Sequence, residues 1–223
     1  MWSSEVTNMI ITGIWETLYM TLVSTLVGYV IGLPMGIILT VSDKDGIKPN
    51  AVLYKILDVI ANIVRSVPFI ILLVLLIPFT RLVVGKSYGS TATIVPLVIA
   101  AAPYIARMVE SSLKEVDAGV IEAARSMGAS NFTIITKVML VEARTSLLVG
   151  ATITLGTILG YSAMSGAVGG GGLGAIAIRY GYTRWQTDIM IVTVILLIIL
   201  FQIFQTVGMK LADKFDHRNK EEI

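Results

Sequence analysis

Five stretches of this 223-residue chain contain no Asp, Glu, Lys or Arg: Thr17 to Ser42, Ser66 to Thr80, Ser87 to Ala106, Thr145 to Ile178 and Ile189 to Met209. Four of them reach the roughly 20 residues that a helix needs to cross a bilayer at about 1.5 Å per residue. The Ser66 to Thr80 run is shorter and must borrow Ile56 to Arg65 to cross. Inside lipid every backbone N–H and C=O has to be satisfied within the protein, so such runs are read as helices. The expectation is an all-α integral membrane protein, one transmembrane domain over 1–223 with five spans at roughly 17–42, 56–80, 87–106, 145–166 and 189–209. An apolar content of 55% against 14% charged residues agrees with lipid as the solvent.

The connections carry the orientation. Lys44, Lys48, Lys55 and Arg65 follow the first span, Arg107, Lys114, Arg125, Lys137 and Arg144 the third, and Lys210, Lys214, Arg218 and Lys220 the fifth. That places thirteen of the 17 basic residues on one side, against Arg81, Lys86, Arg179 and Arg184 on the other. The positive side faces the cytoplasm, which puts the N-terminus outside, the C-terminus inside and a cytoplasmic connection at 107–144. Residues 1–16 carry only Glu5 and Glu16 and lack the basic start of a secretory signal, so the first helix is expected to be retained. With no cysteine, thiol catalysis and disulfides are excluded, and the single histidine, His217, stands in a polar tail. The formal net charge of +2 is spread by topology, with no aromatic-interleaved basic patch for nucleic acid. No metal site is expected, and no Gly-x4-Gly-Lys-Ser/Thr loop is present to bind a nucleotide.

Several patterns inside the spans suggest packing or a path. Gly28, Gly32 and Gly36 share one face of the first helix and admit a close neighbour, while Pro34 suggests a kink. Asp58, Asn62 and Arg65, spaced by four and three, share a face of the second span. They either lie in the inner headgroup layer, with Arg65 snorkelling, or form an inner polar stripe that pairs with a neighbouring helix or lines the inner mouth. Pro68 and Pro78 suggest bends. In the 107–144 connection Leu113, Val116, Val120, Ile121 and Ala124 recur at helical spacing, Gly128 can close that helix left-handed, and Ser130 or Asn131 can cap another. A pair of short helices with a tight turn follows, suited to receiving a push or to resting on the membrane surface.

That connection contains Glu-Ala-Ala-Arg-Ser-Met-Gly, 122–128, followed after nine residues by Val138-Met139-Leu140. This resembles the EAA motif of ABC-importer permeases, with valine at 138 and 141 where the pattern has isoleucine and proline. More of the chain resembles the methionine-importer permeases: the runs beginning at Arg65, Ala100 and Gly160 are all similar to that family. The resemblance implies a type I importer permease, a homodimer of five-helix subunits in the bacterial cytoplasmic (inner) membrane. Two ATP-binding subunits would stand beneath it and an extracytoplasmic substrate-binding protein above. It further implies that Glu122, Ala123, Ala124 and Gly128 dock into the ATP-hydrolysing partner, which would use ATP and magnesium, while this chain binds no cofactor. Methionine, L or D, or a related small amino acid or peptide, would be the cargo, moved by alternating access.

Six glycines between Gly166 and Gly174 interrupt the apolar pattern at the outer end of the fourth span. Gly169, Gly170, Gly171, Gly172 and Gly174 suit a sharp reversal and close approach, to a twin subunit or a docked binding protein, and the Leu173 to Ile178 segment a short re-entrant helix. A passive linker is the plainer alternative, and a potassium-type filter lacks its carbonyl-ring context. Met164, beside Ser162 and beyond the small face of Gly156 and Gly160, is a candidate gate on the translocation path, or a methionine that fills an interhelical gap. Tyr180, Tyr182, Arg184 and Trp185 form an interfacial belt. A competing class is an ion channel or ion-coupled carrier working without an ATPase, for which Asp58 would be the sole intramembrane carboxylate.

Overall fold

The computed structural model describes residues 4–215; His217, Arg218 and Lys220 lie outside them. All regular structure among the described residues is helical. Helix α1, Ser4–Ser42, runs unbroken for 39 residues. It begins well before Thr17, because Glu5 and Glu16 are compatible with helix and only their side chains need polar surroundings. At about 1.5 Å per residue it is roughly 58 Å long, close to twice a hydrocarbon core of about 30 Å.

Helix α5, Ser90–Lys114, lies along α1. The seam is made of missing side chains. A Cβ on Gly28 would sit 2.9 Å from the Ala101 Cβ, and one on Gly32 or Gly36 would sit 2.6 Å from the carbonyl oxygen of Ala102 or Ala106. Ile105 and Val109 fill the spaces between and are buried. Helix α5 also runs past Ala106 as far as Lys114, so Arg107, Glu110 and Lys114 continue the helix of the third span.

The second span differs from the single helix expected over 56–80. It is three pieces: α2, Ala51–Ser66; α3, Phe69–Leu75; and α4, Ile77–Val84. Helices α2 and α3 meet at 102°. The cause is local: Pro68 has no N–H to donate, and it drives Val67 to an extended conformation, φ −81° and ψ 125°. Pro78 sits in the first turn of α4, where its missing donor costs nothing. Helix α2 is amphipathic. Val52, Ile56, Val59, Ile60 and Ile63 are exposed on one side, while Tyr54 and Asp58 turn towards α5.

The 107–144 region continues as α6, Ala118–Ser126, and then a rod over 131–142 made of α7, Asn131–Thr133, a π-helical stretch Ile134–Met139, and α8, Leu140–Glu142. Leu113 belongs to α5, separated from α6 by the Glu115 to Asp117 break, so the five apolar positions do not share one helix. Helix α9, Arg144–Ser165, returns to the far end, where a 3-10 turn and a glycine loop lead to α10, Gly172–Ile176, extended by the π-helical Ala177–Tyr182. Helix α11, Thr187–Phe215, closes the bundle against α9. Four helical stretches, Ser4–Ser42, Ser90–Lys114, Arg144–Tyr182 counted through its glycine interruption, and Thr187–Phe215, are long and apolar enough to cross a membrane, and the bent α2 and α3 pair makes a fifth candidate.

Replacing Gly36 by leucine forces α1 away from the Ala106 carbonyl. Overpacking of this kind costs about 1–3 kcal/mol, and each kcal/mol lowers the midpoint by about 2–4 °C in a chain of this length. A thermal melt of the detergent-solubilised protein should record that fall.

Candidate functional site

At the end of the bundle where α1 finishes and α2 begins, five charged side chains connect three elements. The Glu110 carboxylate is buried, 5% exposed, and takes a 2.7 Å ion pair from Arg107 and a 2.8 Å one from Lys114. Arg107 also donates to the Asp58 carboxylate and, at 3.0 Å, to Asn62 Oδ1, while Asn62 Nδ2 donates to Asp58 Oδ1 at 3.2 Å. Lys114 reaches Asp43 at 2.6 Å, just beyond α1, and the Tyr54 hydroxyl donates to Glu110 at 3.3 Å. The series Asp43, Lys114, Glu110, Arg107, Asp58 therefore ties α1, α5 and α2 by alternating charge. The hydrogen bond from Lys114 holds the Asp43 carboxyl below its ordinary range. That contribution to stability is complete at neutral pH and is lost as pH falls through the lowered value.

Asp58 and Asn62 thus pair with a neighbouring helix, one of the two roles open to the stripe. Arg65 departs from it: its guanidinium lies 5.9 Å over the Tyr104 ring. The buried partner Glu110 was not singled out from sequence. The signal was present as Arg107, Glu110 and Lys114 at spacings of three and four, which only a helix running through Lys114 brings to one face.

Helix α6 begins with Asp117, whose carboxylate accepts from the Gly119 N–H at 2.6 Å. Glu122 and Ala123 are exposed, whereas Ala124 turns inward to the core with Ile134 and Met139. Gly128 adopts φ +81° with nothing within 4 Å of a built Cβ, so backbone conformation and not space selects glycine there. The Ser130 hydroxyl, not Asn131, accepts from Thr133 N–H to cap the rod. Met127 and Phe132 project from the turn, 82% and 75% exposed. Arg125 reaches back to donate to the Ile47 carbonyl at 2.8 Å, fastening this elbow to the α1–α2 turn.

At the other end, the glycines form a sharp reversal packed closely on the neighbouring backbone. Gly169, Gly171 and Gly172 have φ of +85°, +90° and +72°. A Cβ on Gly174 would strike the Ala163 backbone, and one on Gly170 the Ser165 hydroxyl. The Gly89 N–H donates to Gly169 O at 2.9 Å, and Thr93 Oγ1 to Gly170 O at 3.2 Å. The loop then meets α1: Gly172 N–H donates to Glu16 Oε2 at 2.7 Å and Leu173 N–H to Thr17 Oγ1 at 2.9 Å, which caps α10 from another helix. Glu16 and Thr17 carried no sequence signal for this role, because the partner lies 156 residues away.

The four residues of the candidate path separate. Ser162 is buried and donates to Leu159 O at 2.8 Å. Gly156 faces α11, where a Cβ would meet the Phe201 ring at 2.6 Å, so its role is packing. Gly160 opens onto free space, and Met164, one turn further along the same face, is 52% exposed.

Three comparisons bear on this geometry. The family model described as binding-protein-dependent transport system inner membrane component matches residues 28–220. A Vibrio cholerae serotype O1 protein named probable D-methionine transport system permease protein MetI is 49% identical over 217 residues, 97% of this chain and 96% of its own length. The Escherichia coli K12 protein named D-methionine transport system permease protein MetI is 52% identical over 158 residues, 71% of this chain and 73% of its own. A solved structure described as inward-facing conformations of the MetNI methionine ABC transporter, in the CY5 native crystal form, superposes with a TM-score of 0.95. It is 49% identical and covers 97% of this chain and 100% of its own.

Truncating Arg107 to alanine takes the cation from Asp58 and leaves buried Glu110 with Lys114 alone, and should destabilise the fold by up to about 3–5 kcal/mol. Combining it with Asp58→Ala should cost less than the sum of the two, which a double-mutant cycle of unfolding midpoints will record.

Proposed function

Because the chain belongs to the family of binding-protein-dependent transport system inner membrane components, we propose that it is the permease subunit of an ATP-driven importer of methionine in the bacterial inner membrane. The observation that carries the reading is full-length likeness, 49% identical with a TM-score of 0.95, to a methionine ABC transporter. ATP is hydrolysed by a separate chain, since this sequence has no phosphate-binding loop.

In this reading two copies pair in the membrane, two ATP-binding subunits sit on the cytoplasmic side and a substrate-binding protein docks outside. The α6 elbow enters a groove of the ATP-binding subunit with exposed Glu122, Ala123, Met127 and Phe132. Movement of the elbow reaches the bundle through two routes: the packed residues Ala124, Ile134 and Met139, and the Arg125 bond to the α1–α2 turn. Beyond that turn, the charge series from Asp43 to Asp58 links α1, α5 and α2 as one body. On ATP-driven closure the two subunits swing apart at the outer face and the substrate is released into the path. Met164, exposed on α9 beside open space at Gly160, meets its twin at the dimer axis and closes the path apolarly between cycles. The glycine reversal gives the outer end of α9 a rigid shape, locked to α1 and α5, on which the binding protein docks.

A channel or ion-coupled carrier is disfavoured by the charge series itself. The buried carboxylate at Glu110 and its neighbour Asp58 are already matched by Arg107 and Lys114, which leaves no unpaired acid there to load an ion.

Reconstitution in liposomes with the ATP-binding subunit and the binding protein tests the reading: radiolabelled methionine should accumulate only with ATP. Uptake that proceeds without ATP would refute it. Ala123→Trp should lower uptake about tenfold, as a packing penalty of about 1–3 kcal/mol at the docked interface requires. Met164→Ala should raise basal ATP hydrolysis without raising uptake.

A further inference from the structure

The bend between α2 and α3 leaves a cavity of about 160 Å³ lined by Arg65, Phe69, Leu72, Ala100, Tyr104 and Tyr161. Its walls come from three parts of the bundle, the bend itself, α5 and α9. A void near this size, about 150 Å³, accommodates a benzene-sized group, so the side chain of one amino acid fits.

The two ends of the cavity differ in chemistry. Phe69 and Tyr161 are stacked at 4.5 Å with their planes within 3°, and Phe69 and Leu72 are buried, which makes one wall aromatic and apolar. Arg65 supplies the other end. It stands exposed at the rim with its guanidinium over the Tyr104 ring, free of any ion pair among the described residues. The contrast with Arg107, which is bound to two carboxylates and an amide oxygen, is direct. A guanidinium fork matches a carboxylate in a bidentate pair, and aromatic walls favour an apolar or thioether side chain. Tyr104 also comes within 3.5 Å of Thr157. Thr157 shares the α9 face that carries Gly160 and Met164, so the cavity borders the face already assigned to the path.

We propose that this cavity is a substrate subsite on the permease, where Arg65 holds the carboxylate of a small apolar amino acid while its side chain lies against Phe69 and Tyr161. The proposal rests on the importer reading above and adds a station for the cargo within this chain. The occupant is the transported amino acid. A lipid phosphate shares the anionic chemistry but would not need an aromatic wall.

The test uses the intact complex of permease, ATP-binding subunit and binding protein in liposomes with photo-methionine, a diazirine analogue of methionine, followed by peptide mapping. Illumination during turnover should label peptides of this chain that contain Leu72, Ala100 or Tyr161, and excess methionine should remove the label. Arg65→Gln should lower both the label and methionine uptake by about tenfold or more, the weight of a charge-assisted pair. Arg65→Lys, which keeps the charge but not the fork, should recover only part of both, while the thermal midpoint stays at its wild-type value. Unchanged labelling and uptake in Arg65→Gln would overturn the subsite. So would a defect in Arg65→Gln that vanishes in vesicles free of anionic lipid, since the occupant would then be a headgroup. An unlabelled cavity in a complex that does transport methionine overturns this proposal alone. A wild-type complex that never accumulates methionine overturns the importer reading.

Discussion

Apolar surface offers no driving force between two helices that already lie in lipid, so the bundle is held by close backbone approach and by polar contacts that lipid cannot provide. The α1–α5 seam is where this constraint is strongest. Three glycines spaced by four let the carbonyls of Ala102 and Ala106 reach the α1 backbone, and Ile105 and Val109 seat between them. With α1 and α5 joined along their length, the other elements have a fixed body to pack on. Helices α2 and α9 lie against α5, and α10 lies against α1.

The two ends of that body are finished by different chemistry. At one end alternating charges from Asp43 to Asp58 connect α1, α5 and α2, and a buried carboxylate is tolerated because two cations meet it. At the other end neutral backbone groups do the work. Glycine conformations unavailable to other residues bring the α10 N-terminus to Glu16 and Thr17, and the loop carbonyls accept from Gly89 and Thr93. A rigid body with an elbow pinned to one end and a locked reversal at the other is suited to carrying a displacement across the membrane without absorbing it.

Much of this was legible in residue patterns. The charge-free runs marked the spans, the spacing of Gly28, Gly32 and Gly36 marked a close helix contact, and Gly128 marked the left-handed turn of the elbow. The features that residue patterns leave open share a cause. Pro68 suggests a bend in the second span, but hydropathy is blind to direction and only the packed chain shows a turn of 102° there. Charge counting ends the third span at Ala106, whereas the helix itself continues to Lys114 because its charges find partners on other elements. The sharp reversal expected of the glycine loop is present, but its contacts with Ala163, Ser165 and α1 could not be read from the glycines alone.

What the sequence settled by itself are properties of single segments in a given solvent: which runs suit lipid, where backbone must turn, and which short motif resembles a docking element. Pairing belongs to the tertiary structure. That Glu110 faces Arg107 and Lys114, that Glu16 caps a helix 156 residues away, that Gly156 packs while Gly160 stands open, and that Arg65 leaves its stripe for Tyr104 all depend on distances between helices. The physical reason is that helical periodicity defines which residues share a face, whereas the identity of the neighbour opposite that face is set only when the helices pack.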